Sequence, residues 1–186
     1  MKYYKEFDKY FGNLIKTNNG KIDNTIYTFD IETSSYLLLD GKQLPACQYL
    51  DLTKDEQERC DFRSCMYIWQ FSINNDVYYG RTWDELNAFL IRLNFYNPFK
   101  KIVFIHNLSF EFEYLQSNFN LTNIFARKMR KVMKCDLEDY NIEFRCSYFL
   151  SNTKLENLSE IFNLDVEKQV RLFRLRFSTS QRDKIN

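Results

Sequence analysis

Phe29-Asp30-Ile31-Glu32-Thr33, led in by Ile26-Tyr27-Thr28, is the stretch on which the reading of this chain turns. The surrounding apolar residues read as a buried strand over about Thr25–Glu32. Residues two apart in a strand project to the same side, so Asp30 and Glu32 point together with the Thr33 hydroxyl next door. Two carboxylates held together in an apolar setting repel, and must be protonated or neutralised by a cation. A hard divalent cation with oxygen ligands is the usual neutraliser. Chance copies of Asp-x-Glu are common in a chain with 25 acidic residues, and the apolar strand around this copy sets it above a solvated edge.

Working outward, the 186 residues suffice for one domain with a sizeable core. Aromatics are abundant (18 Phe, 13 Tyr, 2 Trp), and 4 Gly with 2 Pro exclude a low-complexity chain. The formal charge of +1 gives no global field that compels a nucleic-acid partner. No apolar run approaches the roughly 18 residues of a membrane span, and the first residues lack the apolar core of a signal peptide. A host-cell cytoplasm is the expected location, with no membrane partner. The odd, irregularly spaced Cys47, Cys60, Cys65, Cys135 and Cys146 suit free thiols in a reducing compartment. A zinc site from Cys47, Cys60, Cys65 and the lone His106 lacks any Cys-x-x-Cys pair and is disfavoured.

Residues 1–24 read as a polar, partly helical lead-in. Leu38–Ser64 is polar, carries Asp40-Gly41 and Pro45, and is expected to form a loop or lid. Met66–Ile73 and Val77–Tyr79 form a hairpin through Asn74-Asn75-Asp76. Thr82-Trp83-Asp84-Glu85 is a capping box that opens a helix to about Leu93, with Trp83, Leu86, Phe89, Leu90 and Leu93 on one face. Lys101–His106 has the continuous apolar pattern of a strand buried on both faces. A helix follows from Ser109 to about Asn118. Asn123–Met133 and Ile142–Tyr148 read as strands around the acidic turn Asp136–Asp139, and a last helix places Leu155, Leu158, Ile161 and Phe162 inward. The pattern predicts an α/β domain with a mixed sheet flanked by helices.

Chemistry gathers a second time at Ile105-His106-Asn107-Leu108-Ser109-Phe110-Glu111-Phe112, where a buried strand turns into a helix. Open α/β sheets present ligands at such places. Asn107 can hydrogen-bond a phosphate or sugar, Phe110 can stack on a base, and Glu111 adds another metal-directed carboxylate. The bland reading has Asn107 or Ser109 capping the helix, Phe110 in the core and Glu111 complementing the helix dipole.

Taken together, the Phe-Asp-x-Glu-Thr strand and the later His-Asn-Leu-x-Phe-acid segment resemble the 3′–5′ exonuclease domain of family B DNA polymerases. The likeness is to the protein-primed polymerases of small phages and linear plasmids, and covers roughly residues 25–170. It implies a ribonuclease-H-like fold of the DEDD exonuclease type. By that resemblance Asp30, Glu32 and Glu111 are the catalytic, metal-binding carboxylates. Thr33, His106, Asn107, Phe110, Ser147, Tyr148 and, in a looser alignment, Lys168 are the residues that hold single-stranded DNA. Two Mg²⁺ or Mn²⁺ ions roughly 4 Å apart would activate water and stabilise the leaving 3′ oxygen. The implied partners are single-stranded DNA 3′ ends, with terminal protein or other replication proteins beside them.

Aromatics favour frayed ends without reading sequence. The run Arg127, Lys128, Arg130, Lys131 and Lys134 either follows the phosphate backbone or forms a solvated strand face.

The chain also departs from that family. Glu111 stands where Asp is usual and is one methylene longer. No Tyr-x-x-x-Asp motif follows the Leu155–Phe162 helix, so the fourth carboxylate of a two-ion site is missing, which should weaken activity. Residues 171–186, which open on Arg171-Leu172-Phe173-Arg174-Leu175-Arg176-Phe177, are a basic tail with two open readings. One is translation out of frame from a longer polymerase gene, since Arg174-Leu175-Arg176 read one base later can give Asp-Tyr. The other is a natural tail that contacts nucleic acid or a partner. No length remains for a polymerising domain. The expected function is a proofreading-type exonuclease module. The alternative is an inactive module of the same fold that binds single-stranded DNA or a replication partner.

Overall fold

The computed structural model describes residues 1–10, 25–128, 131–154 and 157, with residues 9 and 10 as backbone only. Lys168, the Leu155–Phe162 helix, Arg130 and the 171–186 tail lie outside the described residues. In chain order the strands are β1 (Lys2–Tyr3), β2 (Tyr27–Leu39), β3 (Lys42–Pro45), β4 (Asp61–Ile73), β5 (Asp76–Gly80), β6 (Lys101–Ile105), β7 (Thr122–Ala126), β8 (Val132–Leu137) and β9 (Ile142–Cys146). The helices are α1 (Phe7–Tyr10), α2 (Lys54–Arg59), α3 (Trp83–Tyr96), α4 (Leu108–Leu115) and α5 (Tyr148–Ser151). No helix among the described residues is long and apolar enough to cross a membrane.

Alternation builds the centre of the sheet. Tyr27, Phe29 and Ile31 turn inward at 0–4 % exposure, while Thr28, Asp30 and Glu32 face the other way. Along one path the strands run β1-β5-β4-β2-β6-β9-β8-β7, with β3 paired to β2 off that path. β2, β6 and β9 are mutually parallel; β4 runs antiparallel to β2 and β8 antiparallel to β9. This is a mixed α/β architecture, as the pattern of the sequence predicts.

Helix α3 packs on the inward side of the sheet. Thr82 accepts a hydrogen bond from the Glu85 backbone N–H (3.2 Å), while the Glu85 carboxylate accepts from the Arg81 N–H (2.6 Å). Leu86, Phe89, Leu90 and Leu93 are all buried, each burial stabilising by roughly 1.5–3 kcal/mol. Phe89 meets Trp69, Phe71 and Tyr78 at ring centroid distances of 5.2–5.7 Å. The first ten residues do more than lead in. β1 extends the sheet beside β5, and the fully buried Phe7 stands edge-on to Phe89 at 4.9 Å.

Lys101 is also fully buried at the start of β6. Its ammonium donates to the Asn97 and Phe99 carbonyls (2.7 and 2.8 Å) and to Asn94 Oδ1 (3.3 Å), which is how a charge is accommodated away from water.

Two sequence expectations change. The first strand does not stop at Glu32, and Leu38–Ser64 is not a structureless loop. β2 and β4 run on as a long antiparallel ribbon, Tyr36 pairing Arg63 and Leu38 pairing Asp61, with β3, a 3₁₀ turn and α2 at its far end. The polar residues Thr33-Ser34-Ser35 disguise this by interrupting the apolar alternation, which resumes at the buried Leu37 and Leu39. Asn123–Met133 is likewise two strands, since the chain turns between Ala126 and Val132.

The chain divides into two compact units, Met1–Leu150 and Ser151–Asn186. The whole sheet belongs to the first.

Candidate active site

The parallel strands β6 and β9 end level with each other, beside the early part of β2. Thr28 pairs with Phe104 and Phe104 with Arg145; two residues further on, Asp30, His106 and Ser147 follow one another across β2, β6 and β9. His106 Nδ1 lies 3.2 Å from Ser147 Oγ, and the His106 ring meets the Tyr148 ring at 5.7 Å. The Ser147 N–H donates to the Ile105 carbonyl (2.9 Å), tying β9 to the strand before His106. The structure thus gathers Asp30, His106, Ser147 and Tyr148, which stand far apart in the sequence.

The turn from β6 into α4 brings the third carboxylate. Asn107 takes the left-handed conformation (φ 67°), and its carbonyl accepts from the Phe110 N–H at 2.9 Å. Its side chain does not cap the helix. Ser109 does not cap it either: its hydroxyl accepts the Val132 N–H (2.9 Å) and ties α4 to β8. Phe110 is 42 % exposed against Tyr114 (5.3 Å), so it is not a core residue. The one side chain of this turn that swings inward with a charge is Glu111, at 3 % exposure.

Burial pushes the Glu111 carboxyl up to about 8, its own backbone N–H opposing, and the charge and hydrogen bonding of Asp30 add to the rise. Burial is the main cause, and the Asp30 share of the rise places that carboxylate toward Glu111. Glu111 Oε2 is a buried oxygen with no hydrogen-bond partner among the described residues.

Glu32 lies on the same exposed face as Asp30, so these two are not enclosed as the sequence suggests; the enclosed carboxylate is Glu111. A β-bulge falls between Glu32 and Thr33, opposite Ile68, Tyr67 and Met66. Bulges re-aim side chains beside active sites. Burial raises the Tyr67 phenol, and the Glu32 charge raises it further, which places that carboxylate toward Tyr67. Among the described residues no three His, Cys, Asp or Glu side chains converge on one ion position. Of the three sequence-predicted carboxylates, the structure relates Glu111 to Asp30, while Glu32 shares the exposed face of β2 with Asp30.

Thr33 continues β2 past the bulge and pairs with Met66. Beyond it opens a cleft of about 560 Å³ lined by Ser64, Met66, Arg81, Trp83 and Tyr114. Tyr114 is held by Ser64 Oγ at 2.7 Å. Sequence reasoning missed Tyr67 and Tyr114, although the four-residue spacing from Phe110 to Tyr114 on a helix could have found the latter. Of the basic run, Arg127, Lys128 and Lys131 are exposed at the β7–β8 turn, and Lys134 pairs with Glu143 at 3.2 Å.

Comparison with protein-family models, curated proteins and solved structures finds no counterpart to this chain. The case for a function rests on the site itself and on the motifs of the sequence.

Proposed function

We propose that this chain is a metal-dependent nuclease module that removes nucleotides from single-stranded DNA 3′ ends, in the manner of the exonuclease domain of protein-primed family B polymerases. The observation that carries the reading is the burial of Glu111 at 3 % exposure with the Asp30 charge acting on it, which joins two motifs that lie far apart in the sequence. The central sheet, β5-β4-β2-β6-β9 with β4 antiparallel to its neighbours, is compatible with a ribonuclease-H-like fold.

Mg²⁺ or Mn²⁺ bound by Asp30 and Glu111, with Glu32 adjoining, would supply an activated water and charge stabilisation for the departing 3′ oxygen. The residues of the chain do the rest. Glu111 surrenders its proton when a cation takes its place. Phe110 and Tyr148 offer ring faces to unpaired bases, at sequence-tolerant stacking energies of about 1–3 kcal/mol per base. Asn107 and Thr33 would serve as polar partners for the sugar and phosphate. The His106–Ser147 contact holds the β6 and β9 ends together beneath them.

The test is incubation of 3′-labelled single-stranded DNA with Mg²⁺ or Mn²⁺. Stepwise shortening that disappears in Asp30→Asn and in Glu111→Gln supports the reading. Shortening that survives both substitutions refutes it. A second reading, a binding module of the same fold, takes its support from Glu32 standing outside any three-ligand group among the described residues. DNA binding without shortening, unchanged in both variants, selects it.

A further inference from the structure

One row of residues crosses the sheet on the face that carries Asp30. Phe125 of β7 pairs with Lys134 of β8, Lys134 with Arg145 of β9, Arg145 with Phe104 of β6, and Phe104 with Thr28 of β2. Directly paired residues share a face, and Asp30 follows Thr28 by two, so the row lies one step along the strands from the carboxylate.

Phe125 is 59 % exposed, while the Lys134 and Arg145 side chains are 38 % and 46 % exposed. The row thus sets an exposed aromatic at its β7 end and two half-exposed cations on the next two strands.

The cations are held in place. Beneath them Glu143, at 3 % exposure, accepts from Arg145 Nε (2.6 Å) and pairs with Lys134 (3.2 Å) and Lys100 (2.5 Å). Asp136 lies 3.9 Å from Lys100 and shares the Asn123 amide with Glu138, so the carboxylates gather on the Lys100 side of the cluster while Lys134 and Arg145 keep their half-exposed positions on the sheet face. Arg145 spends only Nε on Glu143, which keeps the rest of its guanidinium fork for an outside acceptor. Burial opposes ionisation of Glu143, yet Lys100, Arg145 and Lys134 hold it down to about 2, so the anchor stays charged at any working pH. Exposed Arg127, Lys128 and Lys131 at the β7–β8 turn extend the positive surface past the sheet edge.

We propose that the row Phe125–Lys134–Arg145 is a track for one nucleic-acid strand, with phosphates on Lys134 and Arg145 and a base stacked on Phe125. The strand enters over the β7–β8 turn and crosses β8, β9 and β6 toward Asp30. Four strand spacings separate β7 from β2, about 19 Å at roughly 4.8 Å each, which suits a few nucleotides. That it leads to a cleavage site rests on the nuclease reading; the binding does not. Stacking and phosphate contacts with no base-edge reader make the occupant a single strand of any sequence.

The full chain, in EDTA so that nothing is cleaved, is titrated into a 5′-fluorescein oligothymidylate of about 12 nucleotides over a KCl series, read by anisotropy. Lys134→Gln and Arg145→Gln should each weaken binding and lower the slope of log K against log salt by about 0.7. Phe125→Ser, an exposed change that leaves the core alone, should weaken binding roughly 5- to 100-fold with the slope unaltered.

Unchanged affinity and slope in all three, with only the melting temperature lowered in the two cation variants, would overturn the track and leave the Glu143 ion pairs as purely structural. Equal binding of a duplex, with Phe125→Ser neutral, would overturn the single-strand assignment. Absence of 3′ shortening by the wild type sinks the nuclease reading while these binding data stand. Normal shortening with normal binding in the three variants sinks the track alone.

Discussion

Replacing Glu111 by glutamine removes a charge that the fold resists, and the effect depends on pH in a calculable way. With the carboxyl held at about 8 when folded and near 4.5 when unfolded, the folded state keeps a proton that the unfolded chain has lost between those two values. Stability from this group is therefore fully present below about pH 4.5, declines as pH rises through the window, and is exhausted above about 8. At about 1.36 kcal/mol per unit, the wild type forfeits under about 1 kcal/mol at pH 5, about 3 at pH 7 and about 4–5 at pH 9. Relaxation of the site makes these upper values. Glutamine keeps the shape and carries no charge, so Glu111→Gln should match the wild type near pH 4 and surpass it progressively up to pH 9. Urea denaturation of both proteins in EDTA at three pH values reads the difference. A constant difference across the range, or a variant that is weaker at pH 9, would refute the burial and the Asp30 contact from which the argument starts.

Three further outcomes follow from the same coordinates. Mn²⁺ at about 100 times its dissociation constant should stabilise the wild type by about 2.7 kcal/mol, a rise of roughly 5–10 °C in Tm, and leave Asp30→Asn unmoved in differential scanning fluorimetry. Gly80→Ala sets a Cβ 2.5 Å from the fully buried Trp69 ring, so chemical denaturation should show a loss of about 1–3 kcal/mol with indole fluorescence altered. Lys101→Met strands the Asn97 and Phe99 carbonyls in the interior, and a loss of about 2–4 kcal/mol is expected by thermal melting; a neutral result would mean that water reaches them.

The parts of this molecule that obey one periodicity were legible in its sequence. The Thr82 start and the Leu86–Leu93 face of α3 are written at helical spacing, and Ile102–Ile105 at the apolar density of an inner strand. What escaped were places where burial stops ruling the pattern. The β2–β4 ribbon past Thr33 opens on the polar Ser34-Ser35, which hides the strand, although its backbone pairs through Leu38 and Asp61 and it buries Leu37 and Leu39. The β7–β8 turn fell inside one apparent strand because Phe125 and Met133 keep the alternation going across it. Glu111 was legible as a candidate by its motif but not in its environment. Helical spacing cannot say whether a first-turn carboxylate faces solvent or, as here, a second carboxylate contributed by Asp30.

The parallel pairing of β2 with β6 and of β6 with β9 also governs how the molecule assembles. Neighbours in the β2–β4–β5 meander can zip as soon as they are made, but Thr28 must wait for Phe104, and Phe104 for Arg145, before the middle of the sheet closes. Pairings so remote along the chain are slow steps, because the loop must be ordered before any contact rewards it. The meeting of Asp30 with Glu111, which depends on those pairings, is expected among the last features to mature, so the high pKa of Glu111 would report that folding is complete.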